Sequence, residues 1–301
     1  MQITRYLIFM RKNATVFALM LCTSSLGAEE TPADLLARAW EEYGLQAFSN
    51  ADALFADAAR IARGEERWQA QLGRAQIVHY QMPGRDPQAA IFLYEELLRE
   101  VGDAVPWRGQ LLARIADCHA ELVPAQIDSA RARYRQAMDA LPEESLLVQE
   151  TALRYLTTYL QRPDRGEIAR GLQAADEFAV GMTATPFASI FHGLCAEMAF
   201  FIADYPALAK ALDSQYRAGI SNVRVKEGVL FRLARLHEVE LGDYARAEEY
   251  YRRLAQEVPS SQKAHFAALR ADELAIGKLD SDYAPPLAPR VEDQTPTEGA
   301  R

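Results

Sequence analysis

The sequence has little of what β-sheets and irregular loops are built from. Its 301 residues include only 16 glycines and 14 prolines, and no long stretch alternates β-branched residues with polar ones. Half of the residues are hydrophobic, which is enough to bury a continuous core, and Ala, Leu, Glu and Arg dominate the composition. These four residue types favour helices. The composition therefore predicts an all-α chain.

The sequence also lacks the short motifs by which many enzymes are recognised. It contains no glycine-rich phosphate loop, no Gly-x-Ser-x-Gly and no His-Glu-x-x-His. The five histidines lie singly on predicted helices. Only two pairs have a spacing that would let side chains share a metal ion, namely His192 with Cys195 and, less easily, Cys118 with His119. We expect no enzymatic activity and no catalytic, cofactor-binding or metal-binding residue.

Positive charge is in short supply. The chain has 33 Lys and Arg against 42 Asp and Glu, a net charge of −9. Residues 1–28 carry three basic residues and no acidic ones, so the chain without them has a charge of 30 − 42 = −12. Nucleic-acid binding normally requires a basic surface, so we expect no nucleic-acid partner. The acidic balance favours a soluble, self-repelling protein.

The N-terminal residues have the pattern of a targeting segment. Arg11 and Lys12 precede an apolar stretch of nine residues, 14–22, and small residues at 24–28 offer a cleavage site. Nine residues are too few to span a bilayer as a helix. We interpret residues 1–28 as a signal peptide and expect export to the periplasm or the extracellular space.

Two alternatives stay open at this end of the chain. A compact signal peptide would begin at Met10, so the true start is either Met1 or Met10. Cys22 invites a lipoprotein interpretation, but Leu21 before it is bulkier than the small residue that such processing normally follows. We therefore expect contact with a membrane only if Cys22 is lipidated.

The rest of the chain is organised around residues 241–259. Gly242 and Asp243 end one helix and cap the next. The following apolar positions lie on one helical face: Tyr244, Ala247, Tyr251 and Leu254. Pro259 marks the end of that helix. A small residue four positions before an aromatic one is what closely crossing helices need, because the alanine lets the backbones approach and the ring fills the space beside it.

The same pattern recurs at even intervals. The positions equivalent to Ala247 are Leu208, Ala169, Ala130, Ala90 and Ala51, at steps of 39 or 40 residues. Internal periods of this size indicate a solenoid of stacked helix pairs. We expect about six antiparallel helix pairs within residues 29–279, with a capping helix at their C-terminal end. The remaining tail, 280–301, has no periodicity and is predicted to be disordered.

Residues 241–259 resemble the tetratricopeptide repeat, and so does the segment Ala130, Tyr134, Ala137 and Pro142. The resemblance is sharp over these two segments and loose over about 33–277, with a period some five residues longer than the family's 34. It implies a right-handed superhelix of helix pairs, of the kind found in exported bacterial repeat proteins. It also implies a concave face, lined by the first helix of each pair, that captures peptides or partner proteins.

These observations predict an exported scaffold or adaptor that binds a partner protein or peptide on a concave helical surface. The candidate binding residues are Arg114, Arg232 and Arg235, because a guanidinium binds a carboxylate in bidentate fashion. The competing interpretation is that they are solvated or paired with local acids such as Asp117 and Glu238.

Other functions and another surface remain open. The chain would also fit a membrane-tethered structural subunit of a cell-envelope assembly machine, or a non-catalytic accessory domain of a cell-wall enzyme. The most apolar predicted helix, around 187–201, is either core of a central repeat or an exposed groove for a partner.

Overall fold

The computed structural model describes residues 30–81, 84–102, 107–142, 145–161, 164–182 and 185–279. The predicted signal peptide, 1–28, and the predicted disordered tail, 280–301, lie outside the described residues. Within those ranges the chain forms thirteen α-helices, one short 3₁₀ helix and no strand. The described residues divide into two compact units, one that ends at Arg74 and one that begins at Ala75.

The helices follow one another with short connections. They are α1 (Pro32–Gly44), α2 (Phe48–Ile61), α3 (Gly64–Tyr80), α4 (Pro87–Val101), α5 (Trp107–Glu121), α6 (Ile127–Ala140), α7 (Leu146–Thr157), α8 (Arg165–Met182), α9 (Ala188–Phe201), α10 (Tyr205–Arg217), α11 (Val223–Val239), α12 (Tyr244–Glu257) and α13 (Gln262–Ala275). Short connections make consecutive helices antiparallel. Six pairs and one final helix result, so the predicted all-α solenoid of helix pairs with a C-terminal capping helix is confirmed.

Side-chain caps fix where many of these helices begin. Asp86, Asp204 and Asp243 each accept the backbone N–H three residues later, and Asn222 and Ser261 accept the N–H two residues later. Each cap satisfies a backbone donor that the first turn of a helix leaves without an intrahelical partner. The caps therefore hold the start of each helix at a defined residue.

In the first unit, a glycine lies at a close helix crossing. Phe55 of α2 is fully buried, and its ring packs edge-on against the ring of Trp40, with centroids 4.8 Å apart. A Cβ atom built on Gly73 would lie 2.4 Å from the Phe55 ring. Only glycine leaves room for that ring, so α2 and α3 approach each other closely at Gly73.

Replacing Gly73 with alanine is expected to lower the free energy of unfolding by about 1–2 kcal/mol. Overpacking costs about 1–3 kcal/mol, and the better helix propensity of alanine offsets up to about 1 kcal/mol of that. Gly228 of α11 is the matched control, because a Cβ there meets no atom within 4 Å. Gly228→Ala should raise stability by about 0.5–1 kcal/mol. Urea unfolding of both variants checks this, and equal effects of the same sign would contradict it.

In the second unit, the repeat anchors lie where the periodicity puts them, with one exception. Ala90, Ala130, Leu208 and Ala247 are almost completely buried. Ala169 is exposed, and Ile168 one residue earlier takes its buried place. The predicted register of α8 is therefore wrong by one residue.

The shift in α8 follows from the way α7 ends. The 3₁₀ helix Thr158–Leu160 continues α7 and brings Tyr159 against α8. A Cβ on Gly171 of α8 would lie 2.8 Å from Tyr159 Cβ, so α8 must turn this glycine toward the tyrosine. Ile168, one turn before Gly171, then faces inward in place of Ala169.

Helix α9 is mostly core, which is one of the two interpretations that the sequence left open. Phe191 and Met198 are buried, and α9 contributes to two of the hydrophobic clusters of this unit. Ile190 and Phe201 are nearly half-exposed on its outer side. Among the described helices, none is long and apolar enough to cross a membrane.

Candidate functional site

Two first helices of the second unit, α5 and α7, each carry a row of polar and charged side chains. Helical spacing places Gln110, Arg114, Asp117 and Glu121 on one face of α5. Glu150, Arg154 and Thr157 share one face of α7 in the same way. These two rows meet at Asp117, where α5 and α7 are joined by an ion pair.

The first of two charged groupings, here named the Asp117 cluster, consists of Arg114, Asp117, Tyr134, Glu150 and Arg154. The hydroxyl of Tyr134 donates to Asp117 Oδ1 at 2.7 Å, and Arg154 Nη1 donates to Asp117 Oδ2. Arg114 Nη1 lies 3.5 Å from Asp117 Oδ2. Arg154 Nη2 also donates to Glu150, one turn earlier on α7. The cluster therefore ties α5, α6 and α7 together through one buried carboxylate.

Burial and charge together hold Arg154 and Tyr134 in fixed protonation states. Burial opposes the charge of Arg154, but the carboxylates of Asp117 and Glu150 outweigh it and raise the pKa of the guanidinium. Burial and the Asp117 carboxylate raise the pKa of Tyr134. The tyrosine is therefore a neutral donor and the arginine a permanent cation.

The outer part of the Asp117 cluster reaches solvent. The side chains of Arg114, Arg154 and Glu150 are 25%, 32% and 31% exposed. Arg114 also donates to the hydroxyl of Tyr80 on α3, at 3.0 Å. Arg154 and Glu150 thus lie side by side at the surface, next to the buried carboxylate of Asp117.

A second grouping, the Glu238 cluster, has the same construction at the C-terminal end. It consists of Arg235, Glu238, Tyr251 and Arg270. Tyr251 donates to Glu238 Oε2 at 2.6 Å, and Arg270 Nε donates to Glu238 Oε1 at 2.8 Å. Arg235 Nη1 lies 3.6 Å from Glu238 Oε2. This cluster joins α11, α12 and α13.

Four members of the Asp117 cluster have counterparts in the Glu238 cluster, whereas Glu150 has none, because the residue four positions before Arg270 is Phe266. In each, an arginine precedes the carboxylate by three residues on the same first helix. In each, the tyrosine comes four residues after the anchor alanine of the second helix, Ala130 or Ala247. In each, the next first helix supplies the second arginine. The solenoid therefore contains the same arrangement of one carboxylate, one tyrosine and two arginines twice.

The Glu238 cluster differs in being covered by the chain itself. After α13, Gly277 turns the backbone with a φ of +76°. Arg270 then donates from Nη1 to the carbonyl of Lys278 and from Nη2 to that of Leu279, both at 3.2 Å. Its side chain is only 2% exposed.

One family model matches the C-terminal repeat. Residues 229–261, the second half of α11 and all of α12, match the tetratricopeptide repeat family. The C-terminal part of the chain therefore contains a tetratricopeptide repeat. No curated protein sequence matches it.

Two solved structures are similar in fold to this repeat protein over most of its length. One is an assembly chaperone of RpL4 (Acl4), 15% identical, with a TM-score of 0.42 over 83% of this chain and 98% of that one. The other is the TPR2AB-domain:pHSP90 complex of yeast Sti1, 13% identical, with a TM-score of 0.32 over 81% and 98%. At these values neither structure bears on the function.

The three arginines predicted from the sequence have different surroundings in the repeat protein. Arg114 belongs to the Asp117 cluster. Arg232 is 31% exposed, donates to Glu197 at 2.6 Å and lies over the Phe200 ring. Arg235 is buried at 4% exposure, so it does not project beside Arg232 as the sequence led us to expect. The buried Glu238 carboxylate, one turn away, accounts for its inward position.

Sequence reasoning did not single out Arg154, Glu150, Tyr134 and Arg270 as members of a site. A signal was present in the repeated pattern Ala-Arg-x-x-acid at 113–117 and 234–238. That pattern identifies the two carboxylates as a recurring feature rather than as incidental local acids. A binding role for Arg114 and Arg232 stays a prediction.

A buried histidine and a buried cysteine near the Asp117 cluster form an unreactive pair. Cys118 Sγ lies 3.4 Å from His79 Nε2, and both residues are fully buried. Burial, with the charges of Arg114, Arg154 and Arg85, lowers the pKa of His79 to about 3. Burial raises the pKa of the Cys118 thiol. The pair stays neutral near pH 7, whereas a reactive cysteine is a thiolate.

Metal ligation finds no support in the part of the chain that the structure describes. No group of three or more His, Cys, Asp or Glu side chains is arranged there to hold an ion. His192 and Cys195 lie on α9, and Cys118 and His119 lie on α5. The two candidate pairs are therefore on different first helices.

Proposed function

We propose that this protein is an exported, non-catalytic scaffold that binds an extended segment of a partner protein on its first helices, at the Asp117 cluster. The observation that carries the proposal is the contrast between the two equivalent clusters. The Glu238 cluster is covered by residues 278–279 of the chain itself, whereas Arg114, Arg154 and Glu150 reach solvent. A repeat of this kind presents a long surface on which such groups are held rigidly.

Rigid placement favours binding at this site. Arg154 is held by Asp117 and Glu150, so its guanidinium keeps one orientation before a ligand arrives. A pre-oriented side chain loses little conformational entropy on binding, which leaves more of the interaction free energy for affinity. The part of the proposal that concerns export rests only on the sequence pattern of residues 1–28.

Affinity capture from a cell-envelope extract tests the proposed site. The native chain from residue 29 onward should retain a partner that the variant with both Arg114→Gln and Glu150→Gln loses. Asp117 keeps Arg154 and Tyr134 in that variant, so the fold should be preserved, as circular dichroism would check. The matched control changes Arg252 and Glu248, a half-exposed ion pair on the second helix α12, to glutamine.

If the double variant captures the partner as well as the native chain does, or if the control variant loses it equally, the binding surface does not lie at the Asp117 cluster.

Export is tested separately by sequencing the N-terminus of the protein from its native host. Cleavage after Gly27 or Ala28 is expected. An uncleaved chain recovered from the cytoplasm would contradict it.

A further inference from the structure

We infer that the outer face of the last helix, α13, is a surface at which two copies of this chain associate about a two-fold axis. The face, here named the α13 row, consists of His265, Leu269, Asp272 and Ile276, which helical spacing places side by side. None of these residues belongs to the Asp117 cluster. The contact between copies is therefore separate from the proposed partner-binding site.

The α13 row lacks a covering helix because α13 is a first helix with no second helix after it among the described residues. On α5 the corresponding face packs against the second helix of its own pair, α6. A Cβ on Gly109, five residues before Arg114, would lie 2.4 Å from Leu141 at the end of α6. His265 precedes Arg270 by the same five residues, so the α13 row occupies the face that α5 uses for this contact.

The apolar side chains of the row confirm that this face is open. On three other first helices the residue immediately before the arginine is at most 9% exposed: Ala113, Leu153 and Ala234. Leu269 occupies that position before Arg270 and is 56% exposed, and Ile276 is 82% exposed. A helix that only caps the end of a solenoid has a polar outer face. The two apolar residues depart from that pattern and favour contact with a further surface.

The arrangement of charge makes the row complementary to itself. In a two-fold contact between antiparallel helices, a residue of one copy meets the residue equally far on the other side of the axis. An axis between positions 268 and 269 places His265 of each copy opposite Asp272 of the other, because both lie about 5 Å from it along the helix. The imidazole N–H then donates to the carboxylate twice, and the Leu269 side chains of the two copies meet beside the axis.

Asp272 is available for such a contact. Its side chain is 72% exposed, and Arg252 Nη1 binds its Oδ1 atom at 3.3 Å, which leaves Oδ2 to accept from a second donor. Arg252 is also held by Glu248, at 2.8 Å. The carboxylate is therefore oriented by its own chain and still presented to solvent.

Charge also selects the register of the two helices. An axis between positions 272 and 273 would pair Leu269 with Ile276 of the other copy, but it would bring the two Asp272 carboxylates together. Like charges in contact disfavour that arrangement. The axis between 268 and 269 avoids it and places Ile276 over the first turn of the other copy's α13.

Sedimentation velocity of the chain from residue 29 onward tests the inference. Each copy contributes one face of one helix, so a weak dimer is expected, with a dissociation constant on the order of 100 μM. Leu269→Glu should weaken the dimer at least about tenfold, because it places two carboxylates beside the axis. The control is Phe92→Glu on α4, where the side chain is 58% exposed, and it should leave the dimer unchanged.

An exchange of the two polar residues tests the register. His265→Asp alone should weaken the dimer about tenfold, because it sets a carboxylate against Asp272 of the other copy. His265→Asp together with Asp272→His should restore the dimer, because the same pairs form again with their members exchanged. Circular dichroism of each variant checks that the helices are retained.

A native chain that stays monomeric at about ten times the expected dissociation constant would overturn the inference. So would a dimer that is insensitive to Leu269→Glu or that the exchanged variant fails to restore. If the chain dimerises only after residues 280–301 are removed, the α13 row belongs to that segment of the same chain and not to a second copy. Capture of a partner at the Asp117 cluster does not depend on the row, so each of these results leaves the proposed function standing.

Discussion

Replacing Glu238 with alanine is expected to lower the free energy of unfolding by about 3–5 kcal/mol. The change removes the carboxylate that accepts from Tyr251 and Arg270 and lies against Arg235. The two arginine side chains are only 5% and 2% exposed, so two buried like charges would lose the carboxylate that lies between them. Urea unfolding monitored by circular dichroism measures the loss.

Glu248→Ala provides the reference for this prediction. Glu248 forms an i,i+4 pair with Arg252 at 2.8 Å, but its side chain is 30% exposed. Exposed pairs contribute about 0–1 kcal/mol. A loss for Glu238→Ala as small as that for Glu248→Ala would mean that the Glu238 cluster is open to water.

Asp117→Ala is expected to lower the free energy of unfolding by about 1.5–3 kcal/mol, less than the equivalent change at Glu238. It removes the same set of hydrogen bonds, from Tyr134 and Arg154. The difference lies in the arginines, because Arg114 and Arg154 are 25% and 32% exposed and can turn toward solvent. The same urea unfolding curves provide the comparison.

The order of the two losses is the decisive part of this comparison. The clusters have the same construction, so a larger loss at Asp117 than at Glu238 would show that the Asp117 arginines are as enclosed as their counterparts. It would also mean that the Asp117 cluster lacks the solvent-exposed side chains on which the proposed binding depends.

Most of the fold could be predicted from the sequence because its signals are local. The cap at Asp243, the glycine at 242 and the apolar face of α12 all lie within one helix length. The anchor spacing extends the argument to the other pairs. The prediction failed at Ala169, where the contact between Gly171 and Tyr159 of the preceding helix sets the rotation of α8. A helix's rotation depends on its neighbours, and spacing within the chain does not reveal it.

A smaller failure occurs within the best repeat. Tyr244 was expected on the buried face of α12, but it is 37% exposed, and Tyr250 is buried instead. The hydroxyl of Tyr250 donates to Asp213 of α10 at 2.7 Å. That partner lies in the preceding pair, so the choice between the two tyrosines is made by a tertiary contact.

The site was predicted less well than the fold, for a related reason. Helical spacing places Arg232 and Arg235 one turn apart, but it does not say which carboxylate each will meet. Arg154 lies 37 residues from Asp117, and Arg270 lies 32 residues from Glu238. Such pairs form only when successive first helices pack side by side, and their geometry decides which arginines remain accessible.

The most direct test of the account is site-specific photocrosslinking in the native host. Thr157 is exposed on the same row of α7 as Arg154, and Arg252 is half-exposed on the second helix α12. A photoreactive amino acid at position 157 is predicted to crosslink a partner protein outside the cytoplasm, and the same amino acid at position 252 is predicted not to. Crosslinking from position 252 but not from position 157 would contradict a scaffold that binds its partner on the first helices.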